Sequence, residues 1–312
     1  MRAYVLAAAG ATAAVTDAAE PGPPGAGEVR IRVRRSSVNP SDRMMAGGFF
    51  RWMEHRYPAV LGRDFAGVVD EVGEGVTRFA AGDEVFGFVK RPYVGDGTFA
   101  EYVTIPADRF AIHRPQGLSV EDAGVLGVAG ATALQCVDAL ACAPGETVLV
   151  NGATGGVGAF AVQLARRAGL RVFATAHGDA AEQHIRGLGA DATVDWTVGD
   201  VAAQVRVLAP DGVHGIVDLV SSDFDAITAL AGPVLVPGRA VAATRSGAPD
   251  SADLAVHGIH CSPAVDLLHR LADAVLDGLV VPLVASYPLE KVDDAFAALS
   301  RAPLGKVGLE IG

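Results

Sequence analysis

The segment TVLVNGATGGVGAFAVQLARRAGLRVFATA, residues 147–176, restricts the fold more than any other part of the chain. An apolar run, Val148 to Val150, leads into Gly152, Gly155, Gly156 and Gly158. A helical pattern to Arg167 and a second β-rich run, Arg171 to Thr175, follow. Strand, glycine turn, helix and strand in that order form a βαβ unit of the kind that binds nucleotides. Glycine serves close approach there: the backbone turns sharply, no side chain holds a diphosphate away, and the helix packs tightly on the strand. The helix then aims free N–H groups at the phosphates. The glycines read GxxGGxG instead of GxGxxG, so the flanking strands carry the reading. A glycine-rich turn that binds nothing is the competing one.

A chain of 312 residues, half of them hydrophobic, is long enough for two domains with separate cores. Its formal net charge of −11 argues against a general nucleic-acid or anionic-membrane surface. An anionic cofactor must therefore be held locally, by backbone amides and a few basic side chains. No apolar stretch approaches the roughly 20 uninterrupted residues of a membrane helix. The start, MRAYVLAAAG, lacks the longer apolar core of a signal peptide, so a cytoplasmic location is expected. Cys136, Cys142 and Cys261 form no CxxC pair, which points to core residues instead of disulfides or a zinc ribbon.

The first 115 residues have β character. EVRIRVRRSSVN alternates in its first half, FAGVVDEVGEGV and DEVFGF are short apolar runs, and TFAEYVTIPADRFAIHRP carries two more strands. At Ser119 the pattern changes to a capped helix, SVEDAGVLGVAGATALQCVDAL. GLGAD, GVHGIVDLV and GRAVAATRSG read as later strands with their turns. VASYPL, a short helix near Val292 to Ser300 and GKVGLEI close the chain and are expected to return to the first domain.

The order of motifs resembles the medium-chain dehydrogenase/reductase superfamily, and within it the zinc-free quinone oxidoreductases related to zeta-crystallin. The resemblance rests on SSVNPSD at 36–42, YPAVLGRDFAGVVDEVGEGVTRFAAGDEVFGF at 57–88, GATALQ at 130–135, NGATGGVGAFAVQLA at 151–165, LGAD at 188–191 and the closing GKVGLEI. It implies an α/β protein: a GroES-like β-rich catalytic domain at 1–118, completed by 283–312, and a doubly wound Rossmann domain at 119–282. The cofactor cleft lies where such domains meet.

In zinc relatives a cysteine stands where this chain has Asn39, and a histidine and a glutamate stand at Arg63 and Asp64. A further cysteine belongs around Leu126 to Gly127, and none is there. Arginine is permanently cationic and cannot ligate zinc. The structural zinc lobe is also missing, since residues 78–110 contain no cysteine. No metal is expected. Without a Lewis acid, reduction of a quinone or an α,β-unsaturated carbonyl is the easier chemistry, because the charge delocalises onto oxygen.

By the resemblance, Asn39 lies near the nicotinamide, where its amide donates to the substrate oxygen or orients the ring; capping a turn before Pro40 is the alternative. A tyrosine that the family often places shortly after it is Met44 here, which leaves the proton donor open between water, a substrate group, Tyr57 and Tyr93. Asp64 pairs with Arg63 or with a backbone amide.

An NAD enzyme places a carboxylate at the end of the second Rossmann strand. Ala176 stands there, followed by His177, which favours NADPH over NADH; Asp179 as a ribose ligand is the remaining case. Thr132 matches a threonine that meets the nicotinamide amide. Gly155, Gly156 and Val157 meet the diphosphate, and Ser221 and Thr244 sit at strand ends that face ligand. Asp218 braces the sheet end. The expected partner is a small hydrophobic quinone or enone, met by the loop 44–56 and the segment 89–97, in a homodimer paired through the edge offered by AGPVLVPGRAVAAT. The alternatives are an NADPH-binding protein with little turnover and a pathway-specific enoyl reductase.

Overall fold

Both strands expected around the glycine turn form, and Thr147–Asn151 and Arg171–Thr175 pair in parallel register from Thr147 opposite Arg171. The computed structural model describes residues 1–244 and 254–312, so the end of the GRAVAATRSG segment lies outside the described residues. Among the described residues the sheet around this pair has six strands. Their order is Ala192–Val194, Arg171–Thr175, Thr147–Asn151, Val213–Asp218, Leu235–Ala243 and Ala255–Gly258, all parallel. The chain starts in the middle, steps outward one way and then the other, which is the Rossmann order. Its central strands are apolar on both faces, as parallel strands covered by helices must be. Leu149, Phe173, Ile216 and Val241 are fully buried in one core.

The β-rich unit is organised by one long strand, Glu28–Val38. Its first half alternates, with Val29, Ile31 and Val33 buried, so one face meets the core. Asp64–Val72, Tyr102–Pro106 and the closing strand Lys306–Glu310 all pair with it antiparallel. The C-terminus thus completes the first domain, with Val307 opposite Val38. At Ser36 and Ser37 the alternation stops and every side chain to Val38 is buried.

By packing, the chain divides into residues 1–131 with 262–312, and 132–261. The pattern changes at 119 and 283 lie outside these limits for a physical reason. The first turns of the helix Val120–Ala139 pack into the β-rich unit: a Cβ on Gly124 would lie 2.4 Å from Arg35 Cβ, and one on Gly130 would lie 3.1 Å from Leu271. That helix begins as expected, with Ser119 Oγ accepting from Asp122 N at 3.0 Å. By length and mean composition it is apolar enough to cross a membrane, although Glu121, Asp122 and Asp138 interrupt its apolar run, and 78% of its apolar window is buried inside the protein.

The pairing edge also differs from expectation. Leu235–Ala243 is not an edge, because Ala255–Gly258 pairs along its outer side and takes that position.

Candidate functional site

The carboxyl ends of the central Rossmann strands and the glycine turn form the first centre. Gly152 leaves the strand at φ +86°, a conformation that side chains resist, and its N–H donates to Thr175 Oγ1 at 2.8 Å. A Cβ on Gly158 would lie 2.2 Å from Gly152 O and 2.5 Å from Ala153 Cα, so only glycine lets the helix sit this close to the turn. Gly155 caps the helix Gly156–Arg167 without a side-chain hydrogen bond, and a Cβ there would be in ordinary contact with Gly152 O at 3.9 Å. The N–H groups of the first turn, at Gly155, Gly156 and Val157, have no acceptor within the helix. This cradle fits a diphosphate.

Asp218 ties the neighbouring strand ends together. Its Oδ1 accepts from Asn151 Nδ2 at 3.2 Å and from the N–H groups of Val220 and Ser221 at 3.0 Å each. Its backbone carbonyl accepts from Thr244 N at 3.2 Å. Two of the expected site residues, Ser221 and Thr244, are therefore brought together on one buried aspartate, which acts as the brace expected of it.

At the end of the second strand Ala176 is fully buried and its N–H donates to Val194 O at 3.0 Å. His177 beside it is exposed, and it meets a group that sequence reasoning missed. Asp195, at the end of the neighbouring strand, lies 3.1 Å from His177 Nδ1, and Thr197 Oγ1 lies 3.0 Å from the same atom. Hydrogen bonds from Thr197 N–H and then its hydroxyl, followed by His177, hold the Asp195 carboxyl down to about 2. Asp179 instead opens the helix Asp179–Gly187. Thr132, the first residue of the second unit, is 6% exposed within its helix.

The second centre is a buried polar cluster in the β-rich unit. Asn39 caps the helix Pro40–Ala46, and its backbone N–H donates to Asp42 Oδ2 at 2.8 Å. Its side-chain Nδ2 donates to Asp42 Oδ2 at 3.1 Å and Asp64 Oδ2 at 2.9 Å, while its Oδ1 accepts from Lys306 Nζ at 2.7 Å. Asp64 also accepts from Ser37 Oγ at 2.5 Å and from Val128 N at 2.6 Å, and Lys306 Nζ stands 3.7 Å away. Asn39, Asp42, Asp64 and Lys306 are each at most 4% exposed. Buried charge survives here because it is paired and multiply hydrogen-bonded.

Burial pushes the Asp42 carboxyl up to about 6; nearby Arg63 opposes the rise and Asp64 adds to it. Asp42 Oδ1 and Arg63 Nη2 are buried without a hydrogen-bond partner. Asp64 therefore pairs with a backbone amide, as one expected reading had it, and with Lys306, which was not expected. The capping spacing of Asn39 and Asp42 was a signal for Asp42. For Lys306 the signal was that it is one of only three lysines in the sequence. Of the two tyrosines considered as donors, Tyr93 gives its hydroxyl to Asp96 Oδ2 at 2.7 Å and Tyr57 stacks on His55.

Residues 25–116 match the alcohol dehydrogenase GroES-like domain family and residues 156–234 the zinc-binding dehydrogenase family. The chain is 31% identical, over 93% of its length, to a mycocerosic acid synthase-like polyketide synthase of Mycobacterium tuberculosis, and spans only 14% of that protein. It is 30% identical to the chloroplast envelope quinone oxidoreductase homolog of Arabidopsis thaliana, covering 92% of this chain and 91% of that one. A solved structure described as an NAD-dependent alcohol dehydrogenase superposes with a TM-score of 0.88 at 30% identity, with both chains fully covered.

Proposed function

This chain belongs to the medium-chain dehydrogenase/reductase superfamily, and we propose that it reduces a quinone or an α,β-unsaturated carbonyl with NADPH and without zinc. The observation that carries the proposal is the cluster on Asn39. Where zinc relatives gather ligands, both polar ends of Asn39 are committed to Asp42, Asp64 and Lys306, and Arg63 is a cation. These residues do not fit a zinc ion: an amide nitrogen has no lone pair to give, a guanidinium cannot ligate, and the Asp64 carboxylate already faces the Lys306 ammonium. Among the described residues no group of three or more His, Cys, Asp or Glu side chains is placed to hold a metal.

The cofactor cradle does fit. When bound, the nicotinamide supplies a hydride to the acceptor. Gly155, Gly156 and Val157 hold the diphosphate through their amides, and Ser221 and Thr244 line the strand ends beside it. Ala176 leaves out the carboxylate that repels a 2′-phosphate, and His177 offers it a hydrogen-bond partner. Asn39 is a positioning residue in this reading, since its hydrogens are already spent on carboxylates. Thr132 meets the carboxamide. The protein is a homodimer whose Rossmann sheets pair along Ala255–Gly258, the edge strand.

The polyketide synthase relative supports a second reading, an enoyl reductase acting on a thioester, because that match covers nearly the whole chain. Both readings predict NADPH oxidation by conjugated acceptors. A panel of small quinones, enones and 2-enoyl thioesters, run with and without a strong chelator, separates them. Chelator-resistant turnover of quinones supports the first and exclusive turnover of thioesters the second. One tightly bound zinc per chain, or cofactor binding with no turnover across the panel, overturns the enzyme as proposed.

A further inference from the structure

The NADPH reading just given leaves open how the loop after the second strand recognises the extra phosphate, and the geometry around His177 bears on that. Thr197 Oγ1 lies 2.7 Å from Asp195 Oδ1. An ionised carboxylate only accepts, so the hydroxyl donates to it and keeps only lone pairs for other neighbours. His177 Nδ1 lies 3.0 Å from that hydroxyl oxygen and 3.1 and 3.2 Å from the two carboxylate oxygens. Every polar neighbour of Nδ1 is therefore an acceptor, and Nδ1 must carry a hydrogen. The carboxylate is itself fixed, because Thr197 N donates to Oδ1 at 2.8 Å, while Gln204 Oε1 accepts from Asp195 N at 3.0 Å and Gln204 Nε2 donates to Asp195 O at 2.7 Å. A locked carboxylate thus sets the tautomer and the ring orientation of an exposed histidine, whose other nitrogen, Nε2, is turned away from the acceptors. Trp196, 60% exposed, packs its ring edge-on to the imidazole at 5.8 Å.

We infer that Asp195 decides dinucleotide choice by acting through His177: it holds Nδ1–H and so orients the ring with Nε2 outward, where its N–H, when the ring carries both hydrogens, donates to a 2′-phosphate. A ribose hydroxyl carries no charge for that N–H to meet, so NADH gains little from the carboxylate. Asp195 is a positioning residue, one strand away from the place where a ribose-binding acid is usually sought.

The test is equilibrium binding of NADPH and of NADH to the full chain at fixed pH, read by nucleotide fluorescence without substrate. Asp195→Asn is expected to weaken NADPH roughly tenfold, about the worth of one charge-assisted hydrogen bond, and to leave NADH within about twofold. His177→Lys supplies a permanent cation that needs no orienting carboxylate. In that background Asp195→Asn is expected to have no effect on the NADPH to NADH ratio, an outcome that a merely structural role for Asp195 would not produce. An unchanged ratio in Asp195→Asn, equal loss of both nucleotides, or the same loss in the His177→Lys background overturns the inference. A wild-type protein that prefers NADH would defeat the NADPH reading alone, since the inference is read from the change in the ratio.

Discussion

The glycine turn and the Asn39 cluster solve the same problem, polar groups in a buried setting, by opposite means. The turn is mostly local: Gly155 and Gly158 face backbone atoms of the same short segment, Gly158 is needed because of Gly152 O and Ala153, and only Gly152 meets residues from elsewhere, Leu219 and Val220. The cluster is assembled from afar. Lys306 reaches Asn39 across 267 residues and Val128 reaches Asp64 across 64. A local device depends on sterics that any copy of the motif reproduces. A distant one depends on charge compensation that exists only after the C-terminal strand has paired beside Glu28–Val38, so its failure should be more costly and less confined.

The largest effect expected is therefore at Lys306. Lys306→Met removes the cation facing Asp64, which is fully buried, and should lower stability by about 3–5 kcal/mol, the usual consequence of breaking one side of a buried pair. Urea unfolding measures it, and adding Asp64→Asn should recover part of the loss. A loss below about 1 kcal/mol would show that the donors from Ser37, Asn39 and Val128 neutralise Asp64 by themselves.

A smaller loss is expected in the turn. Gly158→Val drives a Cβ toward Gly152 O, which must shift, at a cost of about 1–3 kcal/mol. Thermal unfolding should show this, with the β-rich unit unaffected by hydrogen exchange. Protection lost equally in both units would mean that the turn is not a local device.

The smallest effect sharpens the cluster's electrostatics. The Asp42 carboxyl sits at about 6 in the fold against an ordinary value of 3.8, because burial penalises its charge. A raised value means that the fold favours the protonated form, so this contribution is fully present below about 4 and is lost as pH rises through 6. Between pH 7 and 5 the wild type should gain about 1 kcal/mol relative to Asp42→Asn, measured as the change in the difference of their urea midpoints. Parallel pH profiles would show that Asp42 keeps its ordinary value.

Legibility in the sequence followed the same division. The strands Thr147–Asn151 and Arg171–Thr175, the helix Gly156–Arg167 and the Ser119 cap could be read because propensity, spacing and capping act within a few residues. The return of GKVGLEI to the first domain was expected from the closing segment itself, and the resemblance to a family implied it again. The edge strand was misread because Leu235–Ala243 is apolar for the reason interior strands are, and only pairing with Ala255–Gly258 reveals its place. Asp195 was missed because nothing near it in sequence marks it; it meets His177 only when two parallel strands end side by side.

The sequence by itself determined a βαβ nucleotide fold and a β-rich partner domain from residue type and local spacing, and, through the family it resembles, the absence of cysteine at the zinc-ligand positions. Only the tertiary structure decided that Asn39 spends its hydrogens on two aspartates, that Lys306 is the buried counter-charge, and that Asp195 fixes the tautomer of His177. Those outcomes depend on which distant atoms share a small, poorly hydrated volume, where a charge must find its partner within a few ångströms, and no linear pattern records that meeting.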